Sequence, residues 1–253
     1  MYTAFAGVYD RLMEQVDYAA WAAHYAALMR EMNVPDKGNC VECACGTGNI
    51  TLPLRKSGYR MTGVDLSEDM LRAAMEKARS AGLSVPFVCQ DMTRLSVPRR
   101  VDCVLCTCDG VNYLTEPKQA LQFFSAAHAA LKPGGALIFD VSTPDKLQNT
   151  LGGHTLFCDE EDVAYIWHND YREKTALLRM RLTIFQQRPD GAFERFSEEQ
   201  CQRAHSREEL TAWLTEAGFE DVRFFGRLRM NAPKAGDDRW HIAARKPMEE
   251  SDK

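Results

Sequence analysis

The chain has 253 residues, of which 45% are hydrophobic and 26% charged, with a formal net charge of −5. These proportions are typical of a soluble globular protein with one substantial core, and the negative charge gives no general attraction to nucleic acid phosphates. No apolar run approaches the roughly 18 residues of a membrane span, and residues 1–10 carry no export signal, so we expect a cytoplasmic protein with no membrane partner.

The first half of the chain alternates predicted helices and strands. Apolar side chains at helical spacing predict a helix over residues 17–33. Further along, strands are predicted at 40–45, 61–65, 86–90, 101–106 and 136–141, with helices over 49–57, 67–81 and about 116–131. Ser67 is the expected N-cap of its helix, and Gly82 lies just past the helix end. Strands that alternate with helices predict a doubly wound, mostly parallel sheet.

Between residues 155 and 204 the pattern changes to strands without helices. Strand-like stretches lie at 163–171, 176–187 and 192–202, the last two joined by an Asp190-Gly191 turn. They predict an antiparallel insert, and inserts of this kind commonly cover an active site. A capping box at Ser206 and Glu209 then predicts a helix. Strands at 222–228 and 239–245 would complete the larger sheet.

A glycine-rich turn follows the first predicted strand, in the sequence VECACGTG at residues 41–48. Glycine lets backbone N–H groups approach a ligand, and the helix that follows favours a negatively charged group at its start. Asp65, at the end of the next strand, can accept hydrogen bonds from both ribose hydroxyls of an adenosine group. After the third strand, Asp91 can accept from an adenine amino group while the Met92 N–H faces a ring nitrogen.

Four motifs, VECACGTG, GVDLSEDML, QDM and LKPGGALIFDVS, lie within residues 41–142. In these motifs the chain resembles the class I S-adenosylmethionine-dependent methyltransferases, and specifically their small-molecule N-methyltransferase branch. The resemblance implies S-adenosylmethionine as the cofactor. The cofactor-binding residues that it implies are Glu42, Ala44, Gly46 and Gly48 around the methionine part, Asp65 and Leu66 at the ribose, Met70, Asp91 and Met92 at the adenine, and Cys108 or Asp109 near the sulfonium. The sequence departs from the family at Ala44, where a glycine is usual; alanine adds only a methyl group.

The resemblance also gives the expected organisation of the chain. The fold class is α/β, a Rossmann-like doubly wound, mostly parallel seven-stranded sheet with an antiparallel β insert. Its expected parts are an N-terminal helical cap (1–33), a cofactor-binding core (34–144), a substrate-side insert (145–204), the C-terminal part of the core (205–247) and a polar tail (248–253).

Two residues have more than one expected role. The segment FAGVYD at residues 5–10 resembles the same N-methyltransferases, in which it lies over the cofactor. Tyr9 would then shape the site around the reactive methyl group or, alternatively, only pack its helix onto the core. Asp109 is the candidate general base for an amine acceptor, with loop capping or binding of the methionine amine as alternatives.

Nine cysteines in a chain without an export signal predict reduced thiols. The pairs Cys40-x-x-Cys43 and Cys103-x-x-Cys106 have a zinc-like spacing, but residues three apart on a strand point to opposite faces. We therefore predict buried core cysteines and no metal site. Separately, His168, Tyr165 and Arg172 could line a substrate pocket, with an exposed strand face as the alternative.

Several functions stay open at this point. The favoured function is methyl transfer from S-adenosylmethionine to a small-molecule amine or hydroxyl. Methyl transfer to RNA or to a protein is the second choice of acceptor. A non-catalytic cofactor-binding protein that acts through a partner is a second possibility. A dinucleotide oxidoreductase is disfavoured, because Thr51 stands at the third glycine position and no Tyr-x-x-x-Lys pair follows. Nucleic acid is not excluded, since Arg223, Arg227 and Arg229 could form a basic patch. The acceptor and the oligomeric state do not follow from the sequence.

Overall fold

A computed structural model describes residues 5–249 of the chain. The helices are α1 (Phe5–Leu12), α2 (Tyr18–Glu31), α3 (Thr51–Lys56), α4 (Glu68–Ser80), α5 (Pro117–Ala130) and α6 (Arg207–Glu216). The strands are β1 (Asn39–Cys43), β2 (Arg60–Asp65), β3 (Phe87–Cys89), β4 (Val101–Cys106), β5 (Leu131–Ser142), β6 (Thr155–Asp159), β7 (Val163–Arg172), β8 (Leu177–Gln187), β9 (Phe193–Arg203), β10 (Glu220–Gly226) and β11 (Arg239–Arg245).

Seven strands form the main sheet, in the order β10-β11-β5-β4-β1-β2-β3. Strands β3, β2, β1, β4 and β5 run parallel, and β11 is antiparallel to both of its neighbours. The predicted α/β class and the mostly parallel, seven-stranded sheet are confirmed. The strand order changes direction between β1 and β4, and ligands of such sheets bind at the carboxyl ends of the strands on either side of this point.

The two faces of the sheet form separate cores, because successive strand residues point to opposite sides. Val41 packs with α5 and α6 on one face, and Cys40 packs with α2 and α3 on the other. Cys40 is paired with Cys103, and Cys43 with Cys106, on neighbouring strands. In each Cys-x-x-Cys pair the two thiols lie in different cores, and all four are buried and free. The predicted opposite orientation is confirmed.

Local signals for the helix starts are also confirmed. The Ser67 hydroxyl accepts from the Met70 N–H at 3.3 Å, and α4 begins at the next residue. Ser206 and Glu209 form both bonds of the capping box, at 3.1 and 2.9 Å. Several strand boundaries differ from prediction, and one strand was not predicted. β5 begins at Leu131 and includes the Pro-Gly-Gly segment, because Leu131 already pairs with Val101. The additional strand, β6, is a five-residue edge strand that pairs with β7.

The insert is a four-stranded antiparallel sheet in the order β6-β7-β8-β9, as predicted apart from β6. Its inward face forms a third apolar core with α1 and α4, through Val8 and Met70. Leu178 and Ile184 of β8 are fully buried in this core. The insert therefore packs against the N-terminal helix and against the helix that begins just after Asp65.

Candidate functional site

The glycine-rich turn after β1 lies at the point where the strand order changes direction. Gly46 and Gly48 have positive φ angles of 52° and 79°. A Cβ atom at Gly46 would meet no atom within 4 Å, so the turn leaves open space beside its backbone. Ala44 also has a positive φ of 52°, which costs an L-residue about 1–2 kcal/mol. Alanine at the family's glycine position therefore adds a methyl group and also strains the backbone.

A second turn, after β4, packs directly against the first. A Cβ atom at Gly110 would lie 2.5 Å from the Cys106 Sγ and 3.0 Å from the Ala44 Cβ, which requires glycine there. The two residues before it, Cys108 and Asp109, have positive φ angles of 54° and 68°. Such strained backbone in non-glycine residues is concentrated at functional sites and must be held by its surroundings.

Asp65 ends β2 and joins the first turn to helix α4. Its Oδ2 accepts a 2.8 Å hydrogen bond from the Gly46 N–H, and its Oδ1 accepts a 2.9 Å bond from the Ser67 N–H. Burial raises the pKa of Asp65 above its usual value, although backbone N–H donors oppose the shift. The neighbouring Leu66 is 72% exposed, an unusual state for a large apolar side chain beside a polar cluster. Met70 is buried below it.

The third predicted element lies at the end of the neighbouring strand β3. Asp91 is exposed, and its Oδ1 accepts from the N–H and hydroxyl of Thr93, both at 2.8 Å. Met92 is half-buried, with its sulfur 3.9 Å from the Cys106 Sγ. The Gln90 N–H donates to the Asp65 carbonyl oxygen at 3.0 Å. The structure therefore brings Asp65, Asp91 and Met92 to one edge of the sheet.

Glu42 lies beneath the first turn and has protein partners at both carboxylate oxygens. Oε1 accepts a 2.5 Å bond from the Thr107 hydroxyl, and Oε2 accepts from the Thr51 hydroxyl. Burial raises the pKa of Glu42 to about 7, with the two threonine hydroxyls acting in the opposite direction. Glu42 thus joins the ends of β1 and β4 to the start of α3, while its contact with the methionine part of a cofactor stays a prediction.

A buried ionic network holds the loop after β4. Asp140 of β5 accepts from the backbone N–H groups of Cys108 at 2.6 Å and Asp109 at 3.1 Å, and also from the Tyr25 hydroxyl and from Arg239. Arg239 of β11 makes a bidentate ion pair with Asp109, at 2.5 and 2.8 Å. Asp140 and Arg239 therefore hold Cys108 and Asp109 in their strained conformation.

These contacts disfavour the predicted general-base role of Asp109. Burial by itself would raise the pKa of Asp109, but the charges of Arg239 and Lys146 outweigh it and lower the pKa to about 2. A carboxylate with so low a pKa binds protons weakly near neutral pH. The carboxylate is also occupied by Arg239 and by the Ser142 hydroxyl at 2.8 Å. The geometry fits the alternative role, capping of the loop.

Helix α1 lies across the first turn and is held there by a polar cluster. Asp10 accepts from the Thr47 hydroxyl at 2.7 Å and from the Asn49 amide at 2.9 Å. Lys77 of α4 donates to Asp10 at 2.8 Å and to Asn49 at 2.6 Å. The next residue, Arg11, forms ion pairs with the β6–β7 connection of the insert. Sequence reasoning had not identified this cluster.

Tyr9 points from α1 toward the loop after β4. Burial, followed by the neighbouring Tyr18 and Cys108, raises its pKa well above the usual value. The Tyr113 hydroxyl, from the same loop, donates to Gln200 of β9 at 2.8 Å. The structure thus brings Tyr9 and Cys108 together beneath the insert, and both proposed roles of Tyr9 remain predictions.

Some residues that the sequence suggested are not part of this site. His168 and Arg172 lie on the exposed outer face of the insert, whereas Tyr165 faces inward, so the three do not line one pocket. The arginines of the suggested basic patch are each paired with acids: Arg223 with Glu31 and Asp221, Arg227 with Asp238, and Arg229 with Asp237. A cavity of about 510 Å³ lies mainly against the amino-terminal halves of β1 and β2, away from the glycine turn.

Residues 5–249 contain no helix long and apolar enough to cross a membrane. No group of three or more histidine, cysteine, aspartate or glutamate side chains in the same range could hold a metal ion.

The sequence carries a signal for the ionic network. Asp140 is the single charge in the apolar run ALIFDVS, and Arg239 directly precedes the mainly apolar segment WHIAA. Because an unpaired buried charge is very costly, a lone charge in a strand of this kind indicates a partner elsewhere in the chain.

Comparisons with known proteins find similar sequences and similar folds. The family model described as "Methyltransferase domain" matches residues 40–135. The protein named "Putative methyltransferase GWCH70_2453" from Geobacillus sp. (strain WCH70) is 32% identical over 97% of this chain and 99% of its own length. The crystal structure of a S-adenosylmethionine-dependent methyltransferase from Clostridium acetobutylicum ATCC 824 has a TM-score of 0.88 at 30% identity, covering 97% of this chain and 99% of that one. The sugar N-methyltransferase KedS8 from Streptoalloteichus sp ATCC 53650 shares the fold, with a TM-score of 0.78 at 22% identity over 95% of this chain and 93% of that one.

Proposed function

The chain belongs to the S-adenosylmethionine-dependent methyltransferases, with S-adenosylmethionine as its cofactor, and from this premise we propose that it methylates a small molecule. The position of Asp65 is the main support for assigning individual residues to cofactor binding. Its carboxylate joins the glycine-rich turn to α4, beside the exposed Leu66. A ribose between these groups would find acceptors for its hydroxyls and an apolar surface next to them.

The residues present fit such a cofactor. Open space lies beside Gly46, and Asp65 and Asp91 provide carboxylates at neighbouring strand ends. When bound, S-adenosylmethionine supplies a methyl group on a sulfonium sulfur, and an acceptor lone pair forms the new bond as the carbon–sulfur bonding pair returns to sulfur. Asp65 and Leu66 would hold the ribose, and Asp91 and Met92 would contact the adenine.

The chain's contribution to the reaction is mainly positioning. Orientation alone can supply roughly 7–11 kcal/mol of a bimolecular barrier. Arg239 and Asp140 hold the loop of Cys108 and Asp109 in its strained form, next to the expected position of the methyl group. Helix α1 closes over the glycine turn through Asp10, which would exclude water from the reacting atoms.

A small-molecule acceptor is favoured by the shape of the site. The insert and α1 together cover the carboxyl ends of β1 and β4, and the tie between Tyr113 and Gln200 joins the insert to the loop. Among the fold relatives, KedS8 is named a sugar N-methyltransferase. An RNA acceptor receives less support, because the three arginines of the suggested basic patch are already paired with acids.

The test is transfer of a labelled methyl group from S-adenosylmethionine into an extract of source cells. The extract is separated into small molecules, RNA and protein after reaction. Label in the small-molecule fraction supports the proposal, and label only in RNA or protein overturns it. Asp65→Ala should abolish labelling by weakening cofactor binding. Glu68→Ala removes an exposed carboxylate from the first turn of the same helix and should leave labelling unchanged.

A further inference from the structure

The few charged residues on the otherwise apolar inward face of the insert sheet are acidic. Residues alternate between the two faces of a strand, and burial along β7 and β8 follows this alternation. Along β7, β8 and β9, the charged residues that face inward are Glu194 and Glu198. The arginines Arg179, Arg181 and Arg195 face outward. The surface that covers the candidate site therefore carries negative charge on these strands.

Three polar atoms on this face are buried without a partner. Trp167, Leu182 and Glu198 form one cross-strand row, and Asn169 lies two residues along β7 from Trp167. Among residues 5–249, Trp167 Nε1, Glu198 Oε1 and Asn169 Oδ1 have no hydrogen-bond partner. Asn169 is only 6% exposed. Buried polar atoms in folded proteins are nearly always paired, so three unpaired ones in neighbouring rows indicate a polar ligand.

The row lies close to the expected position of the methyl group. Gln200 is the next inward residue of β9 after Glu198, and it accepts the 2.8 Å bond from the Tyr113 hydroxyl. Tyr113 belongs to the short helix that directly follows Cys108 and Asp109. Strand residues advance about 3.3 Å each, so Glu198 lies about 7 Å along β9 from Gln200. One small molecule can span this distance.

Resting on the proposed methyl transfer, we propose that Trp167, Asn169 and Glu198 form the acceptor subsite and bind a protonated amino group of the acceptor, while a different atom of the same molecule, with a free lone pair, receives the methyl group. The unpaired atoms are two hydrogen-bond acceptors, from Glu198 and Asn169, and one donor, from Trp167. An ammonium group has three donors and no acceptor, so it pairs with the Glu198 carboxylate. The Asn169 oxygen and the Trp167 Nε1–H lie two strands away on β7 and pair with other polar groups of the same molecule.

The same face disfavours negatively charged acceptors. A carboxylate or phosphate bound beside Glu198 would add a like charge with no basic inward residue on β7–β9 to balance it. A neutral alcohol could pair with Glu198 but would leave its negative charge uncompensated. Glu198 is therefore a specificity-determining residue, which binds the acceptor and takes no part in bond formation.

The matched variants are Glu198→Gln and Glu199→Gln. Glu199 is the next residue of β9, and it faces outward opposite Arg181. Each variant receives labelled S-adenosylmethionine and the small-molecule extract at low concentration. We expect Glu198→Gln to label at least tenfold less than wild type, with recovery as the extract concentration rises, and Glu199→Gln to stay within twofold. S-adenosylhomocysteine should bind both variants with wild-type affinity in a calorimetric titration.

A chemical treatment of the extract tests the amino group directly. Acetic anhydride in neutral water acylates amines in preference to hydroxyl groups, so treated extract should lose its ability to accept label. Label that persists after acetylation, or equal labelling by Glu198→Gln and Glu199→Gln, would overturn this inference alone. A wild-type protein that labels no small molecule would overturn the proposed function, and the inference with it.

Discussion

Asp140 and Arg239 form an ion pair between neighbouring strands, with Asp140 fully buried and Arg239 only 7% exposed. Removing one partner of a buried pair costs about 3–5 kcal/mol, because an uncompensated charge remains inside the protein. Arg239→Gln leaves both Asp140 and Asp109 without this partner, so we expect a loss of that size in the free energy of unfolding, measured with urea. Arg227→Gln is the control, since it removes an exposed ion pair with Asp238 and should cost less than about 1 kcal/mol. Similar losses in the two variants would contradict the role of the network.

Ala44→Gly should stabilise the protein. The left-handed conformation of Ala44 costs about 1–2 kcal/mol, and glycine removes this cost while adding up to about 1 kcal/mol of unfolded-state entropy. The net expectation is a gain of up to about 1 kcal/mol, seen as a higher Tm. Ala73→Gly, inside helix α4, should instead lower stability by about 1 kcal/mol. A lower Tm for Ala44→Gly would show that the methyl group contributes packing that outweighs the strain.

Asp10→Asn should weaken cofactor binding modestly without unfolding the protein. The variant loses the ion pair with Lys77, which is partly exposed and thus worth about 0.2–1 kcal/mol. If α1 must lie across the glycine turn for tight binding, affinity for S-adenosylhomocysteine should fall by up to about fivefold. Calorimetry at low and high salt provides the check, because the wild-type advantage should shrink as salt screens the pair. Glu14→Gln, past the end of α1, should bind like wild type. An unchanged affinity in Asp10→Asn would show that the contact between α1 and the glycine turn does not contribute to cofactor binding.

Glu42 should make the protein less stable as the pH rises. Burial raises its folded-state pKa from 4.5 to about 7, so the folded state binds more protons than the unfolded state between these values. Stability is therefore lost as the pH rises through this window, on the order of 3 kcal/mol in total. In Glu42→Gln the side chain is neutral at every pH, so the variant does not lose stability in this window. The difference in unfolding free energy between variant and wild type should thus grow from pH 4.5 to 7.5, whereas a constant difference would contradict the raised pKa.

The sequence predicted those parts of the fold that depend on local patterns. Periodicity and capping located Ser67 and the start of α4, and strand alternation placed Cys40 and Cys43 in different cores. Local turn chemistry and spacing predicted that Gly46 and Asp65 lie close together, and a hydrogen bond joins them, while their contact with a cofactor stays a prediction. The pairing of Asp109 with Arg239 was not predictable, because 130 residues separate them and only the sheet order brings them together.

Backbone strain was the other feature beyond the sequence. The positive φ of Cys108 and Asp109 is maintained by Asp140 on a different strand. Aspartate adopts this conformation more often than most residues, but cysteine has no such preference, so the sequence does not predict two such residues in a row. The position of Asp109 after β4 suggests a base, but the arginine that lowers the pKa of Asp109 comes from β11 and is not indicated by the local sequence.

Asp10 and Arg11 are adjacent on α1, yet they attach the helix to different parts of the molecule. Asp10 binds the glycine-rich turn, where the cofactor is expected, and Arg11 binds the connection between β6 and β7 of the insert that covers the acceptor. A shift of this one helix alters both regions together. Occupancy of either site should therefore change the affinity of the other, and thermodynamic linkage requires the two changes to be equal. The two substrates would then bind cooperatively, although no residue need touch both.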